Sequence, residues 1–166
     1  MSFEKMIKSL TSAYDSHVQG VRWKHLADNS GTVVDSESLV NLKIPVLSGM
    51  TGIGKTACIK KFASDKQFEW VGLDASYMPV STLATLMFVA INRIRHQQIP
   101  GCLLHIDNIN EADAEWRQLL DQYGNNTFDA LVNSVDATEG IGQGHQHFNR
   151  LPESLFVVGE QWPDVT

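Results

Sequence analysis

The sequence has little of several features that define whole classes of protein. Only two cysteines occur, Cys58 and Cys102, and both lie inside apolar-periodic segments, which predicts buried thiols in a reducing compartment and no disulfide framework. No uninterrupted apolar run reaches the roughly eighteen residues of a membrane span. The amino terminus, MSFEKMIKS, is too polar for a secretory signal. We therefore expect a cytoplasmic protein that does not enter a membrane.

An excess of positive charge is also lacking. Thirteen Lys and Arg residues stand against nineteen Asp and Glu, which gives a formal net charge of -6. This balance does not indicate broad, charge-driven binding to nucleic acid, although a local basic patch stays compatible with it. The hydrophobic fraction of 43% is too high for a disordered chain and suits a domain with a sizeable core.

Apolar segments of strand and helix character alternate along the chain. The pattern predicts strands at 44–48, 68–73, 102–106 and 154–159, and helices at 3–18, 55–64, 81–97, 112–123 and 127–135. Ser81 or Thr82 is expected to cap the third helix, and 137–149 to form a loop or small hairpin. This alternation predicts a three-layer α/β/α fold with a mainly parallel sheet of about four to five strands.

The predicted domain organisation is simple. Residues 1–43 form an N-terminal helix and lead-in segment, and residues 44–166 form the core of one structural domain.

A complete phosphate-loop motif, G-x-x-x-x-G-K-[ST], follows the first predicted strand and precedes a helix. Such a loop turns backbone N–H groups toward phosphate oxygens, and the helix N-terminus adds a positive dipole end. Lys55 is expected to reach the β- and γ-phosphates, and Thr56 to place its hydroxyl on Mg²⁺. The predicted nucleotide contacts are Gly49, Met50, Thr51, Gly52, Ile53, Gly54, Lys55, Thr56 and Ala57.

A second magnesium anchor is expected at the end of another apolar strand. Residues 102–106 form such a strand, and Asp107 follows them directly. An ordinary role for Asp107 as a turn residue stays open, since aspartate is common in turns. Together the two motifs predict a chain that binds ATP with Mg²⁺ at the carboxyl edge of a parallel sheet.

Three stretches of the sequence resemble the AAA+ ATPases, and most closely their MoxR-type branch. Residues 46–57 are similar to the first strand and Walker A motif, and 103–113 to the Walker B strand and the turn after it. Residues 128–135 with 151–163 resemble the helix, hairpin and sensor-1 strand. The resemblance implies an ATP hydrolase that drives or regulates the remodelling of a protein partner, within a homo-oligomer.

The chain departs from that family pattern at the catalytic positions. The family has a glutamate after the Walker B aspartate, whereas this chain has Asn108, whose amide orients water but cannot accept its proton. Glu160 is the first substitute carboxylate, because the resemblance implies that the sensor-1 strand lies beside the Walker B strand. Glu111, one helical turn away, is the second. An ordinary role as a solvated residue at the end of a strand also stays open for Glu160. Gln161 is the polar residue nearest to the family's sensor-1 position.

Two other functions stay open. A small phosphate-loop kinase needs an arginine-rich lid, but residues 123–150 contain one arginine. A non-hydrolysing ATP-binding switch or assembly subunit is favoured by Asn108. The family's lid and arginine finger have no counterpart in the 166 residues of this sequence. We therefore expect either a fragment of a longer protein or a reduced nucleotide-binding module. The choice between ATP and GTP also stays open, because no guanine-reading N-K-x-D motif is present and adenine is read by less distinctive contacts.

Overall fold

A computed structural model describes residues 3–30, 44–49, 54–124 and 151–162, with side chains of the first helix as far as Val21. In chain order the elements are α1 (Phe3–Ser30), β1 (Val46–Ser48), α2 (Lys55–Asp65), β2 (Glu69–Asp74), α3 (Val80–Arg95), β3 (Cys102–Asp107), a short 3-10 helix (Ile109–Glu111), α4 (Ala114–Gly124) and β4 (Leu155–Gln161). The predicted alternation of strands and helices is confirmed in these residues.

The four described strands form one sheet in the order β1-β4-β3-β2. Every neighbouring pair is parallel, which confirms the predicted α/β class and parallel sheet. The last of the described strands, β4, therefore lies between β1 and β3. Because the strands are parallel, their carboxyl ends share one edge, and that edge brings together residues far apart in sequence.

Helices pack on both faces of the sheet. Leu103 and Phe156 belong to one hydrophobic cluster with α1 and α2, whereas Leu104 and Val157 belong to another with α3 and α4. Successive strand residues point to opposite faces, so β3 and β4 have to be apolar on both sides. The arrangement is compatible with the predicted three-layer fold.

The ends of two helices differ from the predictions. Helix α1 continues to Ser30 instead of ending near residue 18, because a single glycine, Gly20, weakens a helix without ending it and the turn-forming sequence comes only at 28–31. Helix α3 begins at Val80 without a side-chain cap, so the predicted capping by Ser81 or Thr82 is wrong. The backbone N–H of Thr82 instead donates to the carbonyl of Pro79. The helix predicted at 127–135 and the loop at 137–149 lie outside the described residues.

Both cysteines are buried and unbridged, as predicted. Burial raises the pKa of Cys58, and it raises the pKa of Cys102 to about 12. Neither thiol is therefore a ready nucleophile near neutral pH. Among the helices of the described segments, none has both the length and the apolar character needed to span a membrane.

A buried histidine joins α1 to α4 and β4. The Tyr123 hydroxyl accepts the backbone N–H of Val157 at 3.2 Å and lies 3.3 Å from Nδ1 of His17, whose ring stacks on that of Tyr123. Nε2 of His17 has no partner within hydrogen-bond distance among the described residues. Desolvation lowers the pKa of His17 to about 4, although the carbonyls of Glu153 and Leu155 and the charge of Glu153 oppose this shift.

This histidine predicts a loss of stability in acid. Because the folded pKa is lowered, the unfolded chain binds a proton first as the pH falls below about 6.5. Between pH 6.5 and 4, protonation of His17 in the unfolded chain should cost about 3 kcal/mol of unfolding free energy. His17→Phe keeps a stacking ring without a titrating group, so urea unfolding of this variant should lose that part of the pH dependence. Identical pH dependence in both proteins would contradict the assignment.

Candidate functional site

Three carboxylates form a row across the carboxyl edge of the sheet. In the parallel register, Asp74 of β2 lies opposite Asp107 of β3, and Asp107 lies opposite Glu160 of β4. Residues in register on neighbouring strands share a face, and here it is the face that α2 covers. The expected juxtaposition of the β3 and β4 ends is confirmed, and β2 adds a third carboxylate to the row.

Helix α2 begins at this same edge, directly after β1 and the predicted phosphate loop. Gly54 precedes it with φ of 84°, a left-handed conformation that glycine adopts without the strain of a Cβ. The carbonyl of Gly54 accepts the N–H of Cys58 at 2.8 Å and closes the first helical turn. The N–H groups at a helix start have no partner within the helix, and they form an anion-binding end. Residues 50–53 of the loop lie outside the described residues.

Lys55 is almost buried and is held by backbone carbonyls. Its Nζ donates to the carbonyl of Gly49 and, at 3.0 Å, to that of Gln161. The ammonium also lies 5.8 Å from the centre of the Trp162 ring. The residue is 7% exposed, and within the described part of the chain no carboxylate pairs with it. The edge of the sheet therefore holds a positive charge whose identified partners are neutral, which is a favourable place for an anion.

A line of hydrogen bonds connects the start of α2 to β2. The Thr56 hydroxyl donates to Oε1 of Glu160 at 2.8 Å, and Nε2 of His105 lies 3.1 Å from the same oxygen. On the other side of the ring, the indole N–H of Trp70 donates to Nδ1 of His105 at 3.2 Å. We refer to these four residues as the Thr56–Trp70 line.

The line fixes the tautomer of its histidine. The indole of Trp70 is a donor only, so Nδ1 of His105 accepts and its proton resides on Nε2, which donates to Glu160. Burial lowers the pKa of His105, although the nearby carboxylate of Glu160 opposes that shift. His105 is therefore neutral near pH 7, and its contact with Glu160 is a hydrogen bond to a carboxylate.

The amide of Asn108 binds a carboxylate of the neighbouring strand. Asn108, with a left-handed φ of 52°, donates from Nδ2 to both oxygens of Asp74, at 3.1 and 3.2 Å. Ser76 adds two more hydrogen bonds to the same carboxylate. Burial raises the pKa of Asp74, but the hydrogen bonds from Ser76 and Asn108 outweigh burial and lower it overall. The NH₂ group of Asn108 is thus taken up by its hydrogen bonds to Asp74.

The predicted site residues are only partly brought together. Glu160 accepts a hydrogen bond from Thr56 on one side and lies opposite Asp107 in the strand register on the other. No hydrogen bond joins Thr56 to Asp107 in the structure. Glu111 is exposed on the 3-10 helix. Ala57 is exposed at the start of α2. The predictions for Met50, Thr51, Gly52 and Ile53 fall outside the described residues.

Sequence reasoning missed two members of the site. His105 is a polar residue inside an otherwise apolar strand and is more readily interpreted as a packed core histidine. Trp70 lies in a strand that alternates between exposed and less exposed positions and carries no motif. The polar interruption of the apolar run at 105 is a mark of His105 in the sequence, but it does not distinguish a core histidine from a site residue.

The donor set at this edge suits a hard divalent cation. The hydroxyl of Thr56 and the carboxylates of Asp107 and Glu160 are oxygen ligands, which Mg²⁺ prefers, and no sulfur lies among them. One oxygen of Asp107 accepts the N–H of Asn108 at 2.9 Å, which helps to fix the carboxylate. Among the described residues, no group of three or more His, Cys, Asp or Glu side chains is close enough to bind a metal alone. A cation here would need further ligands from water or a phosphate, as Mg²⁺ usually does.

Comparisons with known proteins give no family for the chain. No protein-family model matches it, and no curated protein matches it either.

Proposed function

We propose that the chain binds ATP with Mg²⁺ at the carboxyl edge of its sheet and hydrolyses the nucleotide slowly. The observation that carries the proposal is Lys55, a nearly buried cation at the start of α2 that is held only by carbonyls among the described residues. The complete phosphate-loop motif between β1 and α2 supports the same function. The row of carboxylates, which begins with Glu160 on β4, the strand next to β1, also supports this function.

Each residue of the edge has a distinct task in this proposal. Lys55 exchanges its carbonyl partners for the β- and γ-phosphate oxygens, and the first amides of α2 bind the phosphates. Thr56 and Asp107 would hold Mg²⁺, which, when bound, neutralises charge on the phosphates. Because the NH₂ group of Asn108 is bound to Asp74, only its carbonyl oxygen is left to orient a water molecule.

Glu160 is the best-placed carboxylate to accept a proton from that water. Oε1 takes both hydrogen bonds, from Thr56 and His105, whereas Oε2 accepts none from the described residues. The side chain keeps 12% exposure, so solvent reaches it. A carboxylate with one anchored oxygen and a second oxygen that accepts no hydrogen bond from the described residues has the form expected of a general base. Glu111 has no comparable anchoring.

Glu160→Gln tests this role. Glutamine keeps the size and one acceptor oxygen, but it cannot take a proton from water. We expect steady-state kcat for ATP hydrolysis to fall by about 10²- to 10⁴-fold while ATP affinity changes little. Glu111→Gln is the matched control and should leave kcat unchanged. Equal losses in both variants, or no loss with Glu160→Gln, would refute the assignment.

A non-hydrolysing switch is the second candidate function, and Asn108 is the observation that favours it. The amide occupies the position where AAA+ proteins have their glutamate, and it is bound to Asp74. Saturable ATP binding with no phosphate release, even at high protein concentration, would select this alternative over hydrolysis. In either case we propose a cytoplasmic module that acts on a protein partner, within a homo-oligomer.

A further inference from the structure

Trp70 and His105 lie behind Glu160, away from the start of α2. The indole of Trp70 lies flat over β2, where a Cβ at Gly72 would be 2.7 Å from Cη2 of its ring. The absence of a side chain at 72 therefore allows the ring to reach Nδ1 of His105. The Nζ of Lys60 lies over the indole, 4.5 Å from the ring centre. Both β2 and α2 therefore contact the indole, and Trp70 stays 37% exposed.

His105 in turn is buried, and both of its ring nitrogens have partners. The Trp70 indole leaves Nε2 as the only donor of the ring, and this donor reaches Oε1 of Glu160. The Thr56 hydroxyl, which rotates freely on its own, has the same oxygen as its acceptor. A hydroxyl whose proton is committed to an anchored carboxylate leaves its lone pairs available for a cation.

We propose that His105, oriented by Trp70, is a positioning residue that anchors Glu160 and thereby fixes the Thr56 hydroxyl for binding Mg²⁺ with the nucleotide. This inference rests on the proposed function, since it assigns to His105 and Trp70 the task of orienting the groups of that same site. It predicts that the donor at Nε2, rather than the bulk of the imidazole, governs the magnesium-dependent part of ATP affinity.

Two substitutions distinguish the contribution of Nε2 from that of Nδ1. His105→Gln retains an N–H donor near the position of Nε2, whereas His105→Asn retains a polar group near Nδ1 and has nothing that reaches Glu160. Both replace a buried aromatic ring with an amide, and the two amides differ from each other by one methylene. Thermal unfolding of both variants checks that they fold.

Calorimetric titration of the full chain with ATP, in Mg²⁺ and in EDTA, gives the result. For His105→Asn we expect the gain in affinity from Mg²⁺ to fall by about tenfold, the lower end of the effect of support groups around a metal site, with affinity in EDTA unchanged. His105→Gln should keep the gain of the wild type within about threefold. Equal behaviour of the two variants would overturn the inference while leaving the proposed function intact. A wild type that binds no ATP in Mg²⁺ would overturn both.

A measurement on the wild type keeps the inference testable if neither variant folds. The ¹⁵N chemical shifts of the His105 ring report its tautomer in the nucleotide-free protein. We expect the neutral ring with its proton on Nε2. A proton on Nδ1 is incompatible with the Trp70 contact and would overturn the inference.

Discussion

Replacing Lys55 with methionine should weaken ATP binding by about 100-fold. The methionine keeps the apolar stem but loses the ammonium, and charge-assisted hydrogen bonds to phosphate contribute about 1.5–3 kcal/mol each. The loss should be larger for ATP than for AMP, because Lys55 is expected to contact the β- and γ-phosphates. Titration calorimetry with both nucleotides in Mg²⁺ measures the difference.

Lys61→Met is the matched control for that experiment. Lys61 lies on the same helix, is exposed, and forms a surface ion pair with Asp65 at 3.3 Å. Its replacement removes the same charge from the protein without touching the start of α2. Unchanged ATP affinity in this variant shows that the effect at Lys55 is local. Equal weakening by both substitutions would mean that net charge alone controls binding.

Exchanging the partners in the Asn108–Asp74 pair should raise ATP turnover above the slow rate that Glu160 supports, by up to about 10²-fold, because it adds a second carboxylate that can accept a proton from water. Asn108→Glu alone places a second carboxylate against Asp74 and loses two hydrogen bonds, so we expect that variant to unfold at a lower temperature. Adding Asp74→Asn restores an amide–carboxylate pair, with the carboxylate now at position 108, directly after β3. The double variant should recover stability and gain turnover.

Thermal unfolding and steady-state phosphate release, measured on both single variants and the double variant, test this exchange. Asp74→Asn alone is the control, because it removes the charge without supplying a base at position 108. A recovery of stability beyond the sum of the single effects is expected for groups in direct contact. A double variant that folds and binds ATP but hydrolyses it no faster would contradict the view that Asn108 limits hydrolysis.

Much of the fold could be predicted from local pattern. The apolar run at 102–106 predicts a central strand with both faces covered, and the structure has β3 in the interior of the described sheet. The end of α1 could not be predicted in this way. Its second half lacks a strong apolar stripe, and only the turn sequence at 28–31 marks where it ends.

The site could be predicted at Lys55 and Thr56, where a contiguous motif carries the chemistry. Glu160 required the additional expectation that β4 lies next to β3. His105 and Trp70 could not be found, because their roles depend on a diagonal contact between strands and on the space left by Gly72, neither of which has a sequence period. Contacts across parallel strands are set by register, and register appears only in the folded chain.

The central claim is that this edge of the sheet binds ATP with Mg²⁺, and calorimetric titration of the wild-type chain tests it most directly. We predict saturable binding of one ATP per chain, with an affinity that falls when EDTA removes the metal. An absence of saturable ATP binding in excess Mg²⁺, by a chain shown to be folded, would contradict the account.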